Sequence, residues 1–197
     1  MAIKTANNQS MTAITSLSGV TAGNLVLIST ETASSSSTIT FASGIDSTYK
    51  EYIFKYYDIH PSAGVRLAVN FRDGSTAYDA TKTSTFFEAY QNEAGTSTSL
   101  AYVTDYDLAQ STAVQSIGYI GNENDESCAG TLHLYDPSST TFVKHYIATT
   151  PGYHGSNLAL TSYVAGYCNV TAAIDGVQFS MTSGNIDSGT FKMYGVI

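Results

Sequence analysis

The chain has 197 residues and a mass of 20.9 kDa, enough to bury a core for one domain and an arm without disulfides or metals. Charged residues are only 12%, about half the usual share, while 15 Tyr, 8 Phe, 16 Gly and abundant Ser and Thr suit pleated strands and exclude an all-α protein. The formal charge of −8, with 8 Lys+Arg and no cationic cluster, excludes direct nucleic-acid binding and docking to anionic membranes.

Residues 1–24 read as an N-terminal arm. Ile3, Met11, Ile14, Leu17 and Val20 stand isolated among small polar residues, and Gly19 and Gly23 break any helical period. Such a segment cannot offset its own ordering entropy, so its apolar side chains point to docking on something else. Ile3, Ile14, Leu17 and Val20 are the candidate partner-binding residues, spaced to add an extended strand or hook to another subunit. The arm has no apolar core of a secretory signal. The longest apolar run, Leu25-Val26-Leu27-Ile28, is far short of a membrane span.

From Leu25 the period is two, and residues 25–197 are expected to form one sandwich domain. Residues 25–29 form a short apolar strand, 34–37 a Ser-rich turn, and 38–42 alternate. The best long strand is 49–60, stopped by Pro61. Val65, Leu67, Val69 and Phe71 then alternate with Arg66, Ala68, Asn70 and Arg72 up to the turn dipeptide Asp73-Gly74.

Residues 75–127 are the weakest stretch. Within it 85–90 read as strand or helical turn, 101–104 and 113–117 as strands, and 121–126 as a loop. Residues 130–135 and 141–147 flank Asp136-Pro137-Ser138-Ser139 as a hairpin, and 158–167 form a further strand. Residues 173–180 are expected to pair with 189–197 across a turn-rich connector at 183–188. About ten strands with regular turn signals predict an all-β, antiparallel two-sheet sandwich. Cys128 and Cys168 make no disulfide framework and read as part-buried free thiols of a chain made in a reducing cytoplasm.

The stretch Ile174-Asp175-Gly176-Val177-Gln178-Phe179, followed by Gly184-Asn185-Ile186-Asp187-Ser188-Gly189-Thr190-Phe191-Lys192-Met193-Tyr194-Gly195-Val196, resembles the closing motif of jelly-roll virion proteins of tailed bacteriophages. Met193 stands where the motif usually has Leu, and Val196 where it has Ile, both volume-conserving changes. Residues 43–54 also resemble the first large strand of these proteins, with Ile53 and Phe54 entering the core. The likeness covers residues 38–72 and 129–197. It implies a jelly-roll-like sandwich and a non-enzymatic virion structural protein. On that reading the chain is a capsid decoration (cement) protein, a homotrimer on the virion surface whose arm grips the major capsid protein, with no cofactor. The alternative is a tail-fibre tip or adhesin recognising host surface glycan. A fibre tip usually follows a long repetitive shaft, whereas here about twenty residues precede the domain, which favours the capsid.

Residues that could carry chemistry are sparse. Many Ser, four His and ten Asp make chance triads expected, and no Gly-x-Ser-x-Gly elbow is present. His133 and His145 face each other across the expected hairpin but lack a third zinc ligand. Asp105 and Asp107 flank Tyr106 on one strand face, and Glu123, Asp125 and Glu126 crowd one loop, so a carboxylate pair for glycoside cleavage is the sharper alternative. The segment 122–126 lacks EF-hand spacing and reads as a solvated loop before it reads as a cation site. Tyr49, Tyr52, Tyr56 and Tyr57 read as packing first, then as an interface or a sugar platform.

Overall fold

Alternation with period two buries one side of each strand, and a face so made must find a second sheet to cover it. The computed structural model describes residues 24–197, in which every regular element is a strand. Ile3, Ile14, Leu17 and Val20 lie outside the described residues. The strands are β1 (Leu25–Ser36), β2 (Thr38–Phe41), β3 (Glu51–Pro61), β4 (Val65–Arg72), β5 (Lys82–Asn92) and β6 (Thr98–Tyr102), then β7 (Gln115–Ile120), β8 (Cys128–Tyr135), β9 (Lys144–His154), β10 (Leu158–Cys168), β11 (Gly176–Met181) and β12 (Ile186–Val196).

They form two antiparallel sheets packed as a sandwich. The large sheet has the order β1-β12-β3-β8-β9-β10-β5-β6 and the small one β2-β11-β4-β7. With the hairpins β5–β6 and β9–β10 set aside, the other eight strands, counted in chain order, stand 1-8-3-6 and 2-7-4-5. That is a jelly-roll order. The two inserted hairpins, from different places in the chain, meet by pairing β10 with β5 and extend one side of the large sheet by four strands.

The core is an aromatic layer. Tyr52, Phe54 and Tyr56 of β3, Phe179 of β11 and Phe191 of β12 are fully buried. The Phe179 ring lies 5.0 Å from Phe191, 5.9 Å from both Phe54 and Tyr56, and 6.3 Å from Phe41, in edge and tilted contacts. The Tyr56 hydroxyl does not go unpaired in this apolar layer, since it meets Thr150 Oγ1 at 2.5 Å. No buried side-chain polar atom among the described residues lacks a hydrogen bond.

The glycines of the closing motif have backbone reasons. Gly184 has φ +73° in the β11–β12 turn, and Gly189 has φ +130° at a register shift between β12 and β3. A Cβ on Gly189 would also sit 2.5 Å from Ile59 Cδ1. Both positions therefore reject other residues.

Three expectations are corrected. Among the described residues there are twelve strands, not about ten, because 85–90 lie within β5 and the inserts are longer than their patterns suggested. The Ser-rich stretch 34–37 is mostly strand: Ser34 pairs with Ser188 and Ser36 with Ile186, which supply the ladder bonds its weak propensity does not predict. Residues 173–180 and 189–197 do not pair with one another. β11 pairs with β2 and β4 in the small sheet, whereas β12 pairs with β1 and β3 in the large one, because their connection crosses the sandwich rather than turning back as a hairpin. Main-chain pairing continues past β12, with Ile197 N–H donating to Asn24 O.

Phe179→Ala should cost about 3–5 kcal/mol of unfolding free energy. Phe142→Ala, at a side chain 71% exposed, should stay within about 0.5 kcal/mol. Urea denaturation of both variants checks the contrast, and equal effects would place the core elsewhere.

Candidate functional site

The clusters singled out in the sequence come apart when folded. His133 and His145 share the outer face of the large sheet, yet the residue opposite His133 is Ile147, so the two histidines are only diagonal neighbours. His133 Nδ1 instead meets Glu51 Oε1 at 2.6 Å, and His145 lies edge-on to Tyr167 with ring centres 6.1 Å apart. Asp105 and Asp107 do not share a strand face. They fall in the turn after β6, where Asp107 accepts a 2.6 Å bond from the Tyr102 hydroxyl and Tyr106 folds inward over Arg66.

In the loop 122–126, Glu126 is turned inward and 3% exposed. Its carboxylate accepts the Glu123 N–H, and its main-chain oxygen lies 2.7 Å from His60 Nδ1. Among the described residues no three His, Cys, Asp or Glu side chains stand placed to hold a metal. The tyrosines of β3 divide by parity: Tyr52 and Tyr56 are core, Tyr57 is exposed on the outer face, and Tyr49 before the strand packs edge-on to Tyr52.

Charge inside the sandwich has structural work. Arg66 of β4 forms a two-toothed pair with Glu88 of β5 at 2.7 and 3.3 Å, its guanidinium 3.5 Å from the Tyr106 ring centre. Ser162 Oγ of β10 donates to the same carboxylate at 2.8 Å. These bonds fasten the inserted strands to the small sheet. At the other end of the inserts Lys82, Cys168 and Lys144 occupy one register row of β5, β10 and β9, all facing inward. Lys82 Nζ donates to Asn70 Oδ1 at 2.5 Å and Ala80 O at 2.7 Å, and Lys144 Nζ donates to Val170 O at 2.8 Å. Burial pulls the Lys82 ammonium down to about 8 and pushes the Cys168 thiol up to about 12. Both cysteines are free and fully buried, deeper than the part-buried thiols expected.

What remains is a surface. The outward positions of β5, β9 and β10 are Thr, Ala, aromatic, His, Ile, Pro and Gln, and β6 adds Thr98, Leu100 and Tyr102. None of these positions carries Asp, Glu, Lys or Arg, in a chain of net charge −8. Phe87, Tyr102, Ile147, Tyr163 and Leu100 are large apolar or aromatic side chains exposed there. Phe87 and Tyr163 stack with ring centres 4.9 Å apart and planes 13° from parallel. The far side of the same outer face differs: Lys55 and Lys192 stand directly opposite one another there, an arrangement that costs stability. Exposed apolar side chains gathered on one face in this way make it a candidate interaction surface. Its signal was in the sequence as odd-numbered residues of two separate segments, but only the β5–β10 register brings those segments together.

The buried lysine gives a pH prediction. Below about pH 8 the Lys82 ammonium is charged in both folded and unfolded chains, so the cost of burying it is fully present. As pH rises from there toward the ordinary value of 10.5, the folded chain gives up that proton first, the unfolded chain binds more protons, and stability rises. Wild type should therefore gain about 2 kcal/mol on Lys82→Met between about pH 7.5 and 9.5. A difference that stays flat across that window would show that Lys82 does not titrate there. No family model matches this chain, and no curated protein matches it.

Proposed function

We propose that this chain is a non-enzymatic structural protein of a phage virion, most specifically a decoration protein that binds the outer capsid shell and stabilises it. The observation that carries the reading is the jelly-roll strand order, closed by the β11–β12 segment that bears the phage-like motif. Jelly rolls serve viral capsids, lectins and cupins alike, so the fold narrows the function without fixing it. Two features favour the structural member of that set. The space between the sheets is filled with rings, including Phe54, Phe179 and Phe191, rather than left open for a ligand. Carboxylates and histidines singled out in the sequence have structural partners: His133 meets Glu51, Asp107 accepts from the Tyr102 hydroxyl, and Glu126 accepts from the Glu123 N–H.

Attachment is assigned to the arm. Burying Ile3, Ile14, Leu17 and Val20 is worth on the order of 6–12 kcal/mol gross. Ordering some twenty residues costs on the order of 20 kcal/mol or more. Main-chain pairing by strand addition on the partner must supply part of the difference. The major capsid protein is the partner on this reading.

Deleting residues 1–20 should leave a soluble sandwich with a nearly unchanged melting temperature and abolish or weaken its cosedimentation with particles. A truncated chain that fails to fold would place the arm in the domain's own sheet. One that decorates particles normally would move attachment to the sandwich surface and contradict this role for the arm.

A further inference from the structure

On the charge-free face of the inserted strands a protrusion and a recess lie side by side. The protrusion is the Phe87–Tyr163 stack, with Phe87 39% and Tyr163 36% exposed. The recess begins two residues further along the same two strands. It is a hollow of about 450 Å³ walled by Thr83, Thr85, His145, Ile147 and Tyr167, with Ala165 and the Gly166 backbone as its floor. That volume accepts an aromatic ring. Along the strands the two features are separated by about three residues, or roughly 10 Å.

A protrusion and a matching recess on one patch are what a twofold pair requires, because each copy then offers its knob to the other's hollow. We propose that this face binds the same face of a second copy of the chain, with the Phe87–Tyr163 stack of each copy seated in the Thr85–Ala165–Tyr167 hollow of the other. Three observations bear on the choice of occupant. First, a chain of net charge −8 repels itself, and the outward positions of β5, β6, β9 and β10 place no like charges face to face.

Second, size fits. Three strands of 11 residues and one of 5 make a face of roughly 600 Å², so a pair buries about 1,200 Å², the lower bound of stable specific interfaces. Third, the face carries the large apolar and aromatic side chains that interfaces favour, Phe87, Tyr163, Ile147, Leu100 and Tyr102, and the carboxylates nearest it are engaged, Asp107 by the Tyr102 hydroxyl and Glu93 by the Tyr153 hydroxyl. The trimer that the phage resemblance implies would need two different patches on each copy, whereas here knob and hollow share one. The pairing does not rest on a virion role and stands or falls separately from it.

Sedimentation velocity and native mass spectrometry of the full chain between about 1 and 100 µM should give a dimer. Phe87→Asp, on the knob, and Ala165→Arg, in the hollow, should each weaken it at least about tenfold, with far-UV circular dichroism unchanged. Lys55→Glu, on the same sheet face but outside the patch, should leave the dimer intact. A wild-type monomer throughout this range would overturn the proposal and leave the face to the chain's own arm or to another protein. A trimer would overturn it as well. So would a folded knob or hollow variant that pairs like wild type.

Discussion

Everything in this molecule depends on one constraint: two sheets must share a single aromatic layer with no polar group left unpaired inside it. Phe179 sits at the centre of that layer, within 6.3 Å of Phe41, Phe54, Tyr56 and Phe191. Those five rings come from β2, β3, β11 and β12, so burying them fixes which strands lie opposite which. With Phe191 of β12 opposite Tyr56 of β3 and both pointing into the layer, a one-residue slip between these strands would turn one of the two rings out to solvent. The turn glycines Gly184 and Gly189 then follow from the backbone path that this register demands.

The inserts extend the same logic by polar means. Beyond β8 the small sheet covers only part of β9 and β10, so the inner face there is not all apolar. Glu88, Ser162, Lys82 and Lys144 face inward and are met by Arg66, Asn70 and main-chain carbonyls. A buried charge is tolerated only when it is paired or hydrogen-bonded, and these bonds tie the added strands to the jelly roll. With polar side chains turned in, the outer face of the inserts is left with Thr, Ala and rings. The inversion of the usual pattern produces the exposed neutral patch.

Much of the fold was legible from residues alone. The parity of β3 and β4, the stop at Pro61 and the hairpin turn at Asp136-Pro137 give strand type and boundaries without a partner. What could not be read locally is pairing. Nothing in residues 173–197 distinguishes a hairpin from a crossing between sheets, since both bury the same alternate positions. Ser34–Ser36 look like a turn because their order comes from β12 and not from their own propensity. The burial of Lys82 and Lys144 has no local signal: both depend on acceptors outside their own strands, Asn70, Ala80 and Val170. The neutral outer face of the inserts was hidden for the same reason: Phe87 and Tyr163 are 76 residues apart in the sequence and become neighbours only through the β5–β10 ladder.

The virion reading is tested most directly by where the chain sits. A low-resolution reconstruction of the particle that carries it, compared with particles made without it, should show difference density repeated over the outer capsid lattice. Density confined to the tail tip, or no difference on the particle at all, would contradict a capsid decoration role.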